Sequence, residues 1–329
     1  MSSLLARDVE RAALPIISIA GLRSSDPAAR AAVAREIRAA CLDTGFFYVR
    51  DHGVPEPFTT AIVAEARRFF ALPLERKMAI DMERSFCYRG YEPMKRQTLE
   101  AGAPPDLKEG FSIDRDLALD DPAVVARVFG CGPNQWPDDL PGWRETLEAY
   151  QSAMHDLSRR MTRALACSLD LAEDALDGFC DEASGIVRLV HYPPQPADAA
   201  PDEKGCGAHT DWGAFTFLLQ DDAGGLQVWD RQSDGWVNAV PIPGTFVVNV
   251  GDLLSRWTND RYVSTRHRVV NVSGRDRISV PFFYMGRHDY PVACIPSCLA
   301  PRETPKYAPT TPADHLADMA RRSFQRPPA

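Results

Sequence analysis

The chain has 329 residues, 45% of them hydrophobic and 25% charged, a globular balance with ample apolar material for a packed core. Its formal charge of −8 argues against a basic nucleic-acid surface. No run approaches the roughly 20 apolar residues of a membrane helix, and the stretch from Met1 to Leu14 lacks the apolar segment of a secretory signal.

The eight cysteines are scattered without a Cys-x-x-Cys pair. They suit free thiols in a reducing cytoplasm better than a disulfide framework or a cysteine-bound zinc. Asp26-Pro27 opens a helix expected to run to about Asp43, with Val33, Ile37, Ala40 and Cys41 on one face. Gly45 to Val49 reads as a short buried strand, stopped by Asp51-His52-Gly53-Val54-Pro55. A second helix is expected from about Phe58 to Leu72, and residues 80–140 read as irregular. From about Gly142 to Leu169, Trp143, Leu147, Tyr150, Met154, Leu157, Met161 and Leu165 recur at helical spacing, a stripe that reads as core backing.

From Ile186 the period shortens. Ile186 to Tyr192 alternates as a strand, and 193–207 forms a Pro-rich loop suited to a cavity mouth. Short strands follow at about 215–219, 226–229, 236–240, 245–249, 262–264, 267–272 and 277–285, separated by turns. Thr311-Pro312-Ala313-Asp314 caps a last helix to about Phe324. No linker separates 1–140, the region of helices and short strands, from 141–329, the region of the long helix and the strands. The expectation is therefore one compact unit, mainly β with helical support. Nothing in the sequence sets an oligomeric state.

His209-Thr210-Asp211 is the centre of the functional reading. On a strand, residues i and i+2 share a face, so this His and Asp can bind one metal together. His267, late in the stranded half, can supply a third ligand. Two imidazoles and a carboxylate with positions left open suit non-haem iron(II) oxygen chemistry. The pair alone is weak evidence. His52 reads as a structural turn residue, His191 as core or a residue supporting the site, and His155, His288 and His315 as surface or packing residues. Arg277 and Ser279 also share a strand face, where a guanidinium and a hydroxyl make a clamp for a carboxylate. Arg23-Ser25 and Arg321-Ser323 repeat the spacing, but only Arg277 follows the third ligand across one turn. Tyr192 can add a phenolic hydrogen bond to the same acid.

Taken in order, these residues resemble the isopenicillin N synthase-like family of iron(II)/2-oxoglutarate dioxygenases. The resemblance covers nearly the whole chain. It includes Gly45-Phe46-Phe47-Tyr48-Val49, Arg89-Gly90-Tyr91, Lys108-Glu109-Gly110-Phe111, Tyr192-Pro193-Pro194, His209-Thr210-Asp211-Trp212-Gly213, Asn249-Val250-Gly251-Asp252 and Arg277-Ile278-Ser279. It implies a double-stranded β-helix, or jelly-roll, core with N-terminal helices and a long backing helix. It implies iron on His209, Asp211 and His267, 2-oxoglutarate on Arg277, Ser279 and Tyr192, and Asn249 to Asp252 as a structural turn. It implies consumption of dioxygen and oxidation of a small organic molecule by hydroxylation, desaturation or ring closure, with release of succinate and carbon dioxide. Tyr91, Phe111, Phe283 and Tyr284 lie in segments that border the substrate in this family. Plant members often carry Asn where this chain has Val190, and Arg188 is the residue that could replace its co-substrate contact. Some members share triad and clamp yet use no 2-oxoglutarate. An iron(II) oxidase of the same fold is therefore the alternative.

Overall fold

The computed structural model describes residues 14–196, 199 and 202–324. Asp26 caps helix α1 (Pro27–Asp43) by accepting a hydrogen bond from the Ala28 N–H, and Pro27 sits in the first turn, where its missing N–H costs nothing. Its buried residues include Val33, Ile37, Ala40 and Cys41, the face read from the sequence. Helices α2 (Glu56–Phe70) and α3 (Leu74–Met78) follow, and the second helix thus begins two residues earlier than its periodicity suggested. Helix α5 (Trp143–Ser168) buries the whole expected stripe.

The segment expected to be irregular holds two strands and a short helix, β3 (Gly90–Glu92), β4 (Glu109–Ile113) and α4 (Pro122–Val125). Strands this short carry little periodicity of their own and are fixed by pairing at the sheet edge. The 262–264 segment is not a strand. The chain instead leaves helix α7 (Asp252–Trp257) and buries Tyr262 in a loop, where its hydroxyl meets Ser168.

Two sheets form the centre. The large one runs in the order β1 (Ile16–Ser18), β2 (Phe46–Arg50), β10 (Phe246–Val250), β7 (Phe215–Gln220), β12 (Arg277–Gly286), β5 (Ser184–Tyr192), β4, β3. The small one is β6 (Cys206–His209), β11 (His267–Val269), β8 (Leu226–Asp230), β9 (Gly235–Asn238). Together they make the expected jelly roll. The large sheet draws strands from both halves of the sequence.

Side-chain parity divides the large sheet into two faces. Phe47, Phe111, Leu189, Phe217, Val280 and Phe282 point to the helices, where α1, α2, α5 and the short α6 (Asp177–Cys180) close the main core. Phe46, Tyr48, Val190, Tyr192 and Val247 point the other way, toward Leu226, Val228 and Val269 of the small sheet. The functional residues lie on this second face. The last described element is α8 (Pro312–Phe324), whose Asp314 N–H donates to the Thr311 hydroxyl.

Candidate metal centre and co-substrate pocket

His209 is the last residue of β6, and its partner across the antiparallel pair with β11 is His267. The two imidazole rings lie 4.2 Å apart between centroids. Asp211 is not on the strand, as the i, i+2 argument assumed, but in the loop just beyond it. That loop is clamped from behind. The Asp252 N–H donates to the Asp211 carbonyl at 2.7 Å, and the Gly251 N–H to the Ala214 carbonyl at 2.9 Å. A Cβ on Gly251 would stand 2.1 Å from the Gly213 carbonyl oxygen, so only glycine permits this approach.

The carboxylate of Asp211 is held by one oxygen. Oδ2 accepts from the Thr216 hydroxyl on β7 at 2.6 Å and from the Asn249 amide on β10 at 2.7 Å. Oδ1 is left facing the histidines, 3.8 Å from His209 Nε2 and 3.7 Å from His267 Nε2. An ion about 2.1 Å from each ligand atom spans such gaps. The far ring nitrogens are also engaged. His209 Nδ1 donates to the Gly207 carbonyl at 2.8 Å and His267 Nδ1 to that of Thr265 at 3.3 Å. Those bonds fix the tautomer that leaves both Nε2 lone pairs toward Asp211. This is the only group of three or more such ligands among the described residues whose ligand atoms all lie within 4.8 Å of one another.

The electrostatics agree with the geometry. Burial pushes the His267 pKa down to about 4, helped by neighbouring His209, and burial lowers His209 as well. Both imidazoles are therefore neutral near pH 7, the form that ligates a metal. Burial opposes ionisation of Asp211, yet the two imidazoles and the bonds from Thr216 and Asn249 hold its carboxyl below the usual carboxylate value. Two neutral nitrogens, one anionic oxygen and a fixed outer shell fit a divalent iron with open positions.

Arg277 lies on the same cavity, fully buried. Its Nε donates to the Gly224 carbonyl at 2.6 Å, Nη1 to the Ser279 hydroxyl at 3.0 Å and Nη2 to Gln220 Oε1 at 3.2 Å. The guanidinium stacks 4.8 Å over the ring of Tyr192, the residue paired with Arg277 on β5. Three of its five N–H groups are thus used. The cavity has a volume of about 300 Å³, and His209, Asp211, His267, Arg277, Ser279 and Tyr192 all line it.

The four aromatic residues expected at the substrate separate by parity. Phe283 lines the cavity. Tyr91, Phe111 and Tyr284 do not: each is buried in the helix-side core. Tyr91 and Phe111 pack about Phe69, and Tyr284 stacks on Phe215 at 5.0 Å between centroids. Phe283 and Tyr284 are consecutive on β12 and so face opposite ways. Tyr91 lies between Gly90 and Glu92, and Phe111 between Gly110 and Ser112, so their neighbours along each strand take the cavity side. Arg188 lines the cavity but does not turn toward Arg277, since it pairs with Glu92. Thr216 and Asn249 escaped the sequence reading as supports of Asp211. The Asn249-to-Asp252 landmark was the available signal, and it pointed to a turn.

His52, His155 and His315 serve structure, while His288, read from the sequence as a surface or packing residue, lines the cavity. His52 Nδ1 accepts from the Val54 N–H, His155 packs on Phe282, and His315 Nε2 donates to the Trp212 carbonyl at 3.0 Å. All eight cysteines are free thiols. Among the described residues no helix is long and apolar enough to cross a membrane.

Comparison with known proteins places the chain. Residues 14–139 match the family described as non-haem dioxygenase in morphine synthesis N-terminal, and residues 183–286 match the 2OG-Fe(II) oxygenase superfamily. The chain is 41% identical over 318 residues to the 2-oxoglutarate-Fe(II) type oxidoreductase hxnY of Emericella nidulans, covering 95% of this chain and 90% of that one. It superposes on a full-length Neurospora crassa protein crystallised in complex with alpha-KG and thymine with a TM-score of 0.83 at 29% identity, covering 94% and 97% of the two chains. It superposes on JOX2 in complex with 2OG, Fe and JA with a TM-score of 0.76 at 30% identity, covering 98% and 90%. The chain belongs to the iron(II)- and 2-oxoglutarate-dependent oxygenases. It is an oxidoreductase of that class, with iron and 2-oxoglutarate as its cofactor and co-substrate. The 2-oxoglutarate-independent alternative loses its ground to these relatives.

Proposed function

We propose that His209, Asp211 and His267 hold the iron, that Arg277 and Ser279 bind the far carboxylate of 2-oxoglutarate with Tyr192 beneath the guanidinium, and that the substrate is a small organic molecule of the cytoplasm seated against Phe283. The observation that carries this reading is that triad and clamp, from two different sheets, open into one cavity. Iron(II) and 2-oxoglutarate, when bound, supply the oxidising chemistry: dioxygen is consumed, 2-oxoglutarate becomes succinate and carbon dioxide, and a substrate C–H bond is oxidised. The chain's own residues bind, orient and exclude water. Thr216 and Asn249 aim Asp211, while Gly224, Ser279 and Gln220 fix the Arg277 fork. No side chain is required as a general base. Regions 1–140 and 141–329 act as one unit, since the sheet that carries the clamp is built from both.

The test is the visible charge-transfer band that forms when anaerobic protein receives iron(II) and 2-oxoglutarate. The band is expected in the wild type and lost in Arg277→Ala at the same 2-oxoglutarate concentration. Iron binding without a band in the wild type would remove the chelate from the scheme.

A further inference from the structure

On the cavity face of the large sheet, Arg188 of β5 does something the co-substrate site has no use for. Its register partner on β4 is Ser112, and the neighbouring β4 position, Gly110, pairs with Glu92 of β3. Arg188 therefore reaches diagonally across Gly110 to Glu92, and the two form an ion pair through Nη2 and Oε2. Gly110 makes the crossing possible, because a Cβ there would stand 3.1 Å from Arg188 Nε and 3.2 Å from Nη2. The guanidinium consequently lies on the sheet itself, on the cavity floor. Arg188, Glu92 and Ser112 all line that cavity.

The ion pair leaves groups over. Arg188 Nε is buried without an acceptor. Among the described residues Arg188 Nη1 and Glu92 Oε1 make no hydrogen bond, and neither is sealed off as Nε is, so both stay open to whatever fills the cavity. A buried donor such as Nε costs free energy while it is unmet, whereas the two open atoms are available to a ligand in place of water. A single contact between fork and carboxylate leaves a spare donor edge beside a spare acceptor edge.

We propose that the Arg188–Glu92 pair is the polar anchor of the substrate, and that it selects a neutral ring compound whose edge carries a C=O beside an N–H or O–H, as in a lactam. This rests on the function proposed above. The carbonyl accepts from Arg188, and the adjacent N–H or O–H donates to Glu92. A carboxylate of the same size brings two acceptors and sets one of them against the Glu92 anion. An ammonium meets Glu92 but is repelled by Arg188. The surrounding wall is apolar, with Leu99, Ile186, Val190, Phe283 and Leu316 available to the ring. Thr216, which supports the metal ligand Asp211, lies on β7, two strands from Arg188 and one step along. That is roughly 12 Å across the sheet, enough for one or two fused rings between anchor and triad.

The test uses anaerobic enzyme loaded with iron(II) and 2-oxoglutarate, and the charge-transfer band is read first so that failure of the co-substrate site is seen separately. Calorimetric titrations then compare 2-quinolinone, N-methyl-2-quinolinone and 2-naphthoate. The lactam is expected to bind at millimolar concentration or below. N-methylation, which removes the donor and leaves Glu92 unmet, should weaken binding about tenfold or more, the cost of one buried unpaired group. The Arg188→Met variant should keep the band and lose the preference for the lactam. A lactam that does not bind to enzyme showing the band overturns the proposal. So does equal binding of its N-methyl form, or tighter binding of the naphthoate.

Discussion

Asn249 and Thr216 do not touch the Asp211 oxygen that faces the histidines, yet they set where that oxygen points. Each spends its hydrogen bond on Asp211 Oδ2 and so turns Oδ1 toward the two imidazoles. Replacing Asn249 with Ala removes one bond from a buried carboxylate and lets it rotate. Iron affinity is expected to fall by about 10- to 100-fold, the usual cost of an outer-shell partner, while the fold stays intact. Titrating the band with iron at saturating 2-oxoglutarate checks this, and an unchanged iron midpoint would show that Thr216 alone suffices. His209→Ala or Asp211→Ala removes a ligand outright, and should abolish both iron binding by metal analysis and substrate-dependent succinate release. At this scale the sequence was informative about the chemistry-bearing groups themselves, because a triad needs particular residue types. It said little of Thr216, whose role depends on which strand lies beside the Asp211 loop. Three of the four aromatic residues fall on the wrong face for a simpler reason. Nothing in Phe283-Tyr284 says which of two neighbours faces the cavity until the parity of β12 is fixed by Arg277 and Ser279.

Helix α8 forms part of the cavity wall through Pro312, Ala313, Leu316 and Ala320. It is tied to the Asp211 loop by the bond from His315 Nε2 to the carbonyl of Trp212, the residue after Asp211. Burial lowers the His315 pKa to about 4, with Arg256 adding to the effect, so the ring is neutral and its Nε2–H is a plain donor near pH 7. His315→Ala should loosen the helix and speed limited proteolysis within 312–324, and iron with 2-oxoglutarate should slow that cleavage less than in the wild type. Identical cleavage patterns would mean that packing alone holds the helix. The join between β10 and α7 is less forgiving. Gly251→Ala drives a methyl into the Gly213 carbonyl, and backbone must move with it. A stability loss of about 1–3 kcal/mol, the range for overpacking, is expected in chemical denaturation, together with weaker iron binding because the same loop carries Asp211. Long elements such as α1 and α5 were legible from periodicity, and α8 from its cap. The three-residue β3 and the six-residue α7 were not, since their conformation is imposed by partners distant in sequence.

Across the whole molecule six of the histidines divide into two groups with opposite effects on acid stability. His52, His155, His209, His267 and His315 all have lowered pKa values, chiefly through burial. For these, the unfolded chain takes up protons first as pH falls below the ordinary value of 6.5, so the metal-free protein loses stability on acidification. His191 works the other way. Burial disfavours its charge, but hydrogen bonds at 2.8 Å to Glu109 and to Asp276 outweigh it and raise its pKa. Glu109 also takes bonds from Lys77 and Tyr91, so one carboxylate joins α3, β3 and β5. Asp276 precedes Arg277, so protonated His191 also braces the turn into β12, the strand that carries Arg277. A group raised on folding contributes stability that is complete below 6.5 and is lost as pH rises through its folded value. Comparing wild type with His191→Gln isolates this term from the five opposing ones. The wild type should melt higher by the largest margin near about pH 6, and the margin should shrink steadily on going alkaline. A margin independent of pH would show that Glu109 and Asp276 hold a neutral ring, and that the brace at the start of β12 is a matter of shape rather than charge.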